Sequence, residues 1–371
     1  MDVFARSTGL ASDEPPRRYL WTDAYAVCNY LGLYAATGDT RELERARALV
    51  DQVHRVLGRH RPDDPRTGWI SGLDEEEGAR HPTAGGLRIG KAEPERGPGE
   101  PFEPHREWDR DGQYYHYLTR WMHALDGVSR ATGERAYHRW AVELAKTAHA
   151  AFVVPAGAGG GGRMVWKMSI DLTRPLVPSM GAHDPLDGLV TLSALAASGP
   201  DDGKPALDRE IGELANMCRS LRWVTDDPLG IGGLLMDTFE VARLLSADRR
   251  MVTPGGTAPG EWFASLLDQS ADSLAAWLAT DPLALQAGAR LPFRELGLAI
   301  GLAGMRRLAD TGGNGPLPAR LERLAERADL ADRIVLFWLD TSHRGVTWTD
   351  HLDINRVMLA SALAPEGILA V

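Results

Sequence analysis

Three carboxylates lie close together in the segment EWDRDGQYYHYLTRW, residues 107–121, at Glu107, Asp109 and Asp111. A pair of carboxyl groups can carry out general acid–base catalysis, because one protonated acid donates a proton while an ionised partner accepts one. Side chains two positions apart diverge, so we expect one partner from this segment and another from elsewhere. The candidate catalytic residues are Asp109, Asp111, Asp184, Asp187 and Asp350.

Asp109 is the preferred general acid within the segment, because the ring of Trp108 is its neighbour in sequence. Asp111 precedes Gly112 at a predicted helix start, where a carboxylate commonly caps the helix, and we expect it to cap and also to touch the ligand. Each of the other carboxylates could likewise be only a helix cap. Capping, however, does not explain the tryptophans that accompany them.

Aromatic and basic side chains surround the same positions. Six of the eleven tryptophans fall in the segments or loops that lead into predicted buried helices, and large exposed rings suit stacking on sugar faces. Cations nearby could hold a carboxylate or phosphate of the substrate. The candidate substrate-binding residues are Trp21, Asp23, Trp69, Trp108, Arg110, Tyr114, Trp166, Lys167, His183, Arg344, Trp348 and His351.

The elements that must position these residues are helices of two alternating kinds. Six nearly uncharged apolar helices begin near residues 22, 112, 183, 232, 292 and 350, and five amphipathic helices lie between them. A helix that is apolar all round is buried, whereas one with a single apolar stripe lies outside. The pattern predicts an all-α fold, an (α/α)6 toroid whose inner helices all begin at one mouth. A solenoid of helix pairs is the alternative, but the irregular spacing argues against it.

We expect one domain over residues 1–371, with an insertion at 59–106 that forms a lid over the mouth. Long loops rich in glycine and proline are often functional lids. Short strands are predicted at 67–73, 85–91 and 164–172, and the last would deliver Trp166 and Lys167 to the cavity. The amphipathic helix before the last apolar one is predicted over 318–339.

Composition restricts the partners of the chain. A net charge of −10 argues against a nucleic-acid binder, and the longest uncharged run, Ala24–Gly38, is too short to span a membrane.

Cys28 and Cys218 lie in apolar helices without metal-ligand spacing, which indicates buried free thiols. No basic and apolar signal segment is evident at the N-terminus. We expect a cytoplasmic monomer or homodimer that binds a small molecule and needs no cofactor.

Two groups contain residue types that ligate metals, His183–Asp184–Asp187 and Asp350–His351–Asp353. Helix caps and hydrogen-bonded cavity walls explain both groups equally well. We therefore expect no metal.

Two segments, WTDAYAVCNYLGLYAATGD at 21–39 and WDRDGQYYHYLTRW at 108–121, together with the alternating helices, resemble the six-hairpin glycosidase superfamily. That superfamily contains inverting glycoside hydrolases, unsaturated glucuronyl hydrolases and, as relatives in fold, N-acylglucosamine 2-epimerases. WDRDGQYY is similar to the W-x-R-G-x-x-W segment of the unsaturated uronyl hydrolases through Trp108 and Arg110. It departs from that segment at Asp111 and at Tyr114 or Tyr115. The resemblance implies an inverting glycoside hydrolase that acts on a small saccharide, with neutral and anionic sugars both left open.

Two alternatives remain open. A sugar epimerase or isomerase would use histidines as acid and base, and His183 and His351 lie at the third and sixth predicted entrances. The fourth entrance, where the 2-epimerase relatives carry a catalytic histidine, has none. A non-catalytic saccharide-binding protein would keep the tryptophans and lack a usable acid pair.

Overall fold

The computed structural model describes residues 1–155, 162–181, 183–199, 207–247, 251–311 and 319–370. Their contacts divide the chain into two compact units, the N-terminal unit (residues 2–217) and the C-terminal unit (residues 218–370). The single domain expected over residues 1–371 stays a prediction. Within the described part of the chain, we find no helix whose length and apolar character would let it span a bilayer.

The N-terminal unit is built mainly from helical hairpins that follow the predicted order. Its helices are α1 (Asp2–Ser7), α2 (Leu20–Thr37), α3 (Thr40–Leu57), α4 (Glu75–Arg80), α5 (Pro104–Glu107), α6 (Tyr115–Thr132), α7 (Arg135–Phe152), α8 (Asp184–Ser198) and α9 (Asp208–Cys218). Gly38 and Gly133 end α2 and α6 in the left-handed conformation, with φ of 71° and 74°. This backbone region favours glycine, so the sequence Ala-Thr-Gly, which occurs at 36–38 and again at 131–133, marks the turn of each hairpin.

Five very short strands complete the N-terminal unit: β1 (Gln113–Tyr114), β2 (Val153–Pro155), β3 (Gly162–Met164), β4 (Lys167–Met168) and β5 (Pro175–Val177). All pairs are antiparallel, with β4 between β1 and β5, and β2 beside β3. Tyr114 faces Lys167 in the register of β1 and β4. Of the strand predicted at 164–172, only Met164 at the end of β3 and the two residues of β4 are in strands, and β4 joins the entrance of α6.

The C-terminal unit continues the hairpin pattern. It contains α10 (Pro228–Ser246), α11 (Pro259–Leu278), α12 (Pro292–Thr311), α13 (Ala319–Ala325), α14 (Asp329–Leu339), α15 (Val346–Thr349), α16 (Leu352–Leu363) and α17 (Glu366–Leu369), with 3-10 turns at Pro254–Gly256, Pro282–Ala284, Ala287–Ala289 and Thr341–His343. The backbones of α10 and α12 approach closely, because a Cβ on Gly232 would clash with the carbonyl group of Gly297.

The burial of the helices confirms the alternation read from the sequence. Every residue from Leu20 to Leu31 in α2 and from Glu295 to Met305 in α12 is buried, whereas α3 buries one stripe. Cys28 and Cys218 are buried free thiols, as predicted. Burial raises the pKa of each thiol to about 12, so neither is expected to be reactive.

Two details of the secondary-structure prediction are wrong. The helix expected over 318–339 is interrupted between α13 and α14, where Arg327 and Ala328 donate backbone hydrogen bonds to Leu324 and Ala325. These bonds span three residues instead of four, so the turn tightens there. No strand forms at 67–73 or 85–91, and Trp69 makes only an isolated bridge with Arg59.

The segment 85–91 is held by three different partners instead of one strand. Ile89 accepts a hydrogen bond from Leu20 N and donates one to Gly112 O, and Arg88 N donates to Leu57 O. Leu87 and Ile89 are fully buried. This part of the insertion therefore belongs to the core of the N-terminal unit. A lid formed by residues 59–106 stays a prediction, and any opening would have to leave 85–91 in place.

Candidate active site

Aromatic residues from the starts of α2 and α6 meet in the N-terminal unit. The hydroxyl groups of Tyr19 and Tyr117 are 2.7 Å apart, and the ring of Trp21 lies 6.4 Å from that of Tyr117. Burial raises the pKa of Tyr19 to about 12, so its hydroxyl stays protonated. These contacts bring the entrances of two buried helices together, as the fold prediction required.

His116, the second residue of α6, lies among these rings. Its imidazole stacks near Tyr114 at 5.4 Å and near Trp166 at 6.4 Å, and it meets the edge of Tyr117 at 4.9 Å. The His116 side chain nevertheless keeps 32% of its surface exposed. A titratable ring is therefore held in a fixed orientation with part of its surface open to solvent.

Asp184, the first residue of α8, supplies the carboxylate nearest to this ring. Its Oδ1 lies 3.5 Å from Nδ1 of His116, which is ion-pair distance and longer than a formed hydrogen bond. Asp184 is buried, and its Oδ2 has no hydrogen-bond partner among the residues that the structure describes. A buried polar atom without a partner is uncommon and marks a place where a ligand or water could bind. We call His116, Asp184, Tyr114, Tyr117 and Trp166 the His116 site.

Asp187 fixes α8 against α6 one turn further along. It accepts hydrogen bonds from Thr119 Oγ1 and, at 2.7 Å, from Arg120. Both donors belong to α6, so this buried interaction sets the distance between the helices that carry His116 and Asp184. Asp187, a candidate catalytic residue, has both carboxylate oxygens engaged and holds the helices together.

Asp111 is fully buried and surrounded by donors. Oδ2 accepts from Arg88 at 2.9 Å and from Arg61 at 3.4 Å, and Oδ1 accepts from the amides of Gly90 and Gly112. Both oxygens accept hydrogen bonds from the protein, which is the arrangement of a structural anchor, and a catalytic role or ligand contact for Asp111 stays a prediction. The carboxylate ties the 59–106 insertion to the entrance of α6.

Asp109 lies in the opposite environment. Its side chain is exposed, and Trp108 beside it is 49% exposed. The burial next to an aromatic ring that favoured Asp109 as the general acid is therefore absent. Trp108 turns its ring toward Trp166, at 4.7 Å edge to face, instead of enclosing the carboxylate.

Lys167 and Arg110, two expected substrate-binding cations, are occupied by the protein. Lys167 Nζ donates to the backbone oxygens of Glu107 and Arg110 at 2.7 and 2.8 Å and to Glu107 Oε1 at 3.0 Å. These three bonds use the whole donor capacity of an ammonium group. Burial lowers the pKa of Lys167, and the ion pair with Glu107 opposes that shift. Arg110 pairs with Glu100 at 2.7 Å.

Asp23 has a structural role at the start of α2. Its Oδ2 accepts the backbone N–H of Tyr19 at 2.9 Å, which is the backward cap of a helix start, and its Oδ1 lies 3.5 Å from Arg18. Asp23, Arg18 and Trp21 are all buried. The capping alternative therefore describes Asp23 better than substrate binding does.

Four of the six tryptophans near the predicted entrances are buried: Trp21, Trp69, Trp223 and Trp348. The guanidinium groups of Arg59 and Arg344 cover the rings of Trp69 and Trp348, each at 4.5 Å. Trp69 and Trp348 thus offer no free face to a sugar, contrary to the expectation. Trp108 and Trp166 keep exposed surface and remain available for stacking.

The C-terminal unit holds the remaining candidates. Asp350 and His351 are exposed, and the His351 ring meets the edge of Phe293 at 5.4 Å. Arg344 donates to the backbone oxygens of Trp338 and Leu339, so its guanidinium is committed to the protein. His183, in the N-terminal unit, is the N-cap residue of α8. Its pairing with His351 as acid and base stays a prediction.

Sequence reasoning missed His116. The residue stands directly after Tyr114 and Tyr115 in a stretch that reads as aromatic core, so no pattern separated it from its neighbours. The signal that could have found it is position, since His116 lies within the first turn of the second predicted buried helix.

Among the residues that the structure describes, no group of three or more histidines, cysteines or acids could hold a metal ion.

No protein-family model matches the chain, and no curated protein matches its sequence. Solved structures do match. A cellobiose 2-epimerase from Spirochaeta thermophila DSM 6192 aligns with a TM-score of 0.53 and 13% identity, over 95% of this chain and 87% of that one. A sugar epimerase from a ruminal bacterium aligns with a TM-score of 0.51 and 9% identity, over 96% and 90%. Both are (α/α)6 toroids, which confirms the predicted fold class.

Proposed function

We propose that this protein is a carbohydrate-active enzyme, a sugar epimerase or isomerase that moves a proton at the carbon beside the carbonyl of an open-chain sugar. The observation that carries the proposal is the half-exposed imidazole of His116 beside the buried carboxylate of Asp184, with 3.5 Å between Nδ1 and Oδ1. The names of the two aligned epimerases support the same class of reaction.

The chemistry needs a base of a type whose ordinary pKa lies near neutral pH, and a second group that orients this base. Imidazole meets the first requirement, and a carboxylate beside Nδ1 favours the tautomer with hydrogen on that nitrogen, which leaves Nε2 to accept the proton. Removal of the proton beside the carbonyl gives an enediolate. Return of the proton to the former carbonyl carbon, with a hydroxyl proton passing between the two oxygens, gives the ketose. Epimerisation needs a proton on the opposite face of the same carbon, so the enediolate must turn that face to His116 or a second acid must supply the proton.

The aromatic residues of the site support binding of a sugar. Tyr114 and Tyr117 fix the imidazole by packing against it, so little orientation entropy is lost when a substrate binds. Trp166 and the half-exposed Trp108 offer ring faces on the same side of the unit. Such faces stack on the apolar side of a pyranose.

Hydrolysis by inversion is the weaker interpretation. It needs two free carboxyl groups separated by roughly 6.5–9.5 Å with a water between them. In the N-terminal unit, the oxygens of Asp23, Asp111 and Asp187 are engaged by arginines and backbone amides, and Asp109 is exposed. Asp184 keeps one oxygen without a hydrogen-bond partner among the described residues, and its neighbour is a histidine.

The proposal is tested by proton NMR of sugars incubated with the protein in D2O. Glucose, mannose, N-acetylglucosamine, glucuronate, glucose 6-phosphate and cellobiose form the panel. We expect at least one sugar to exchange the hydrogen on the carbon beside the anomeric carbon and to yield an epimer or a ketose. Release of monosaccharide from cellobiose without such exchange would support the hydrolase instead. Binding without any exchange would support the non-catalytic alternative.

A further inference from the structure

Lysine is rare in this chain, and each lysine can be accounted for individually. Only Lys91, Lys146, Lys167 and Lys204 stand among 41 basic residues. The ammonium of Lys167 donates all three of its hydrogen bonds to the protein. Lys146 is exposed on α7, and Lys204 lies outside the described residues. Lys91 differs from all of them, because it is partly buried and its ammonium lies over the ring of Tyr19.

The main chain at Lys91 is fixed by its neighbours. Arg61 donates to Lys91 O at 2.6 Å, and the amide of Gly90 donates to Asp111 Oδ1 at 2.9 Å. The Lys91 ammonium lies 5.8 Å from the centre of the Tyr19 ring. Since the Tyr19 hydroxyl contacts that of Tyr117, whose ring packs against His116, the two tyrosines connect Lys91 with the imidazole.

The ammonium group of Lys91 has no hydrogen bond and no ion pair with any residue in the described ranges. Asp109 and Asp111 act on it electrostatically, yet neither comes within ion-pair distance. Asp111 is already matched by Arg88 and Arg61, and Asp109 is exposed to solvent. Burial lowers the pKa of Lys91, and the attraction of Asp109 and Asp111 opposes that shift.

We infer that Lys91 binds an anionic group, a carboxylate or a phosphate, on the sugar that reaches His116. The inference rests on the proposed function for the location of the sugar and adds the class of substrate. A partly desolvated ammonium gains a charge-assisted hydrogen bond when such a group arrives. The cations that the sequence suggested for this task, Lys167, Arg110 and Arg344, are committed to oxygens of the protein.

The test is isothermal titration calorimetry with glucose, glucuronate, glucose 6-phosphate and inorganic phosphate at one fixed ionic strength. The variants are Lys91→Met and Lys91→Gln, and the matched control is Lys146→Met, at an exposed lysine of the same unit. We expect the parent to bind at least one anionic sugar about 10–100-fold more tightly than glucose, the usual worth of a charged hydrogen bond. Both Lys91 variants should lose that preference and keep the affinity for glucose, and Lys146→Met should behave as the parent.

Each other outcome is decisive. Equal binding of glucose and the anionic sugars by the parent, or an anionic preference that survives both Lys91 substitutions, would overturn the inference. Inorganic phosphate that binds as tightly as glucose 6-phosphate would overturn it too, because the sugar would then contribute nothing. Anionic sugars that bind through Lys91 without hydrogen exchange in D2O would uphold this inference and contradict the proposed function. Absence of binding by every sugar would contradict both.

Discussion

Nδ1 of His116, in the first turn of α6, lies 3.5 Å from Oδ1 of Asp184, the first residue of α8. Asp187 holds the two helices together through Thr119 and Arg120, so the relationship between His116 and Asp184 is fixed by a second contact one turn away. The carboxylate is buried and the imidazole is partly exposed. This arrangement suits a base that meets a substrate and a carboxylate that orients the base.

Asp184→Asn should lower kcat for hydrogen exchange by about a hundredfold, the lower end of what an acid or base contributes, and leave KM nearly unchanged. The amide keeps the size of the carboxylate and removes the charge that favours the reactive tautomer of His116. Asp51→Asn, at an exposed carboxylate on α3, is the control and should match the parent. A variant with raised KM and normal kcat would make Asp184 a binding residue only.

Asp111→Asn should destabilise the protein by about 3–5 kcal/mol, the cost of removing one partner from a buried ion pair. The substitution leaves Arg88, which is buried, facing an amide that also carries N–H donors. Urea unfolding followed by circular dichroism measures the change. Asp63→Asn removes the exposed partner of Arg61 and should cost less than about 1 kcal/mol. Similar losses for both variants would show that Asp111 is not an important buried anchor.

Gly232→Ala should destabilise the C-terminal unit by about 1–3 kcal/mol, because the added methyl group would collide with the Gly297 carbonyl on α12. Gly233→Ala provides the control, since its new Cβ would meet no atom within 4 Å. Alanine favours a helix by up to about 1 kcal/mol over glycine, so the control should be neutral or stabilising. Thermal unfolding measures the melting temperatures of the two variants. Equal melting temperatures would contradict the close approach of α10 and α12.

Stability should fall as the pH decreases below about 6.5, with His54 as one source. Burial lowers the pKa of His54 from 6.5 to about 3, and its Nε2 accepts a hydrogen bond from Trp121 at 3.2 Å. On acidification, His54 takes up a proton in the unfolded chain before it does so in the folded protein. Its contribution to the free energy of unfolding is therefore complete above pH 6.5, and it is lost at up to about 1.4 kcal/mol per pH unit between pH 6.5 and pH 3.

His54→Gln removes this titration and keeps an acceptor near Trp121. Urea unfolding between pH 7 and pH 4 should therefore show a smaller pH dependence than in the parent. His81→Gln, at a half-exposed histidine, serves as the control. An identical pH dependence in the parent and His54→Gln would show that His54 is not buried in its neutral form.

The regular part of the fold could be read from the sequence because burial leaves a local pattern. The uncharged stretches predicted α2, α6, α8, α10, α12 and α16, and the structure ends the first two at Gly38 and Gly133. The insertion at 59–106 has no periodicity, so its packing of Leu87 and Ile89 into the core could not be predicted. Short strands were expected where the backbone instead bonds to three separate segments.

The candidate site was predicted only in its location. Asp111 looked catalytic because its two arginine partners, Arg61 and Arg88, come from that aperiodic insertion and leave no local signal. Lys167 looked available for the same reason, since its three acceptors lie about sixty residues earlier in the chain. His116 looked like core, because its exposure depends on the helices that pack beside it.

The most direct test of the central claim is hydrogen exchange in D2O by His116→Gln, on whichever sugar of the panel the parent exchanges. We expect the rate of exchange at the carbon beside the anomeric carbon to fall by about 10²–10⁴, the usual worth of a general base, while calorimetry shows nearly unchanged sugar binding. His105→Gln, at an exposed histidine, should exchange at the parent's rate. Exchange by His116→Gln at the rate of the parent would contradict the claim that His116 moves the proton.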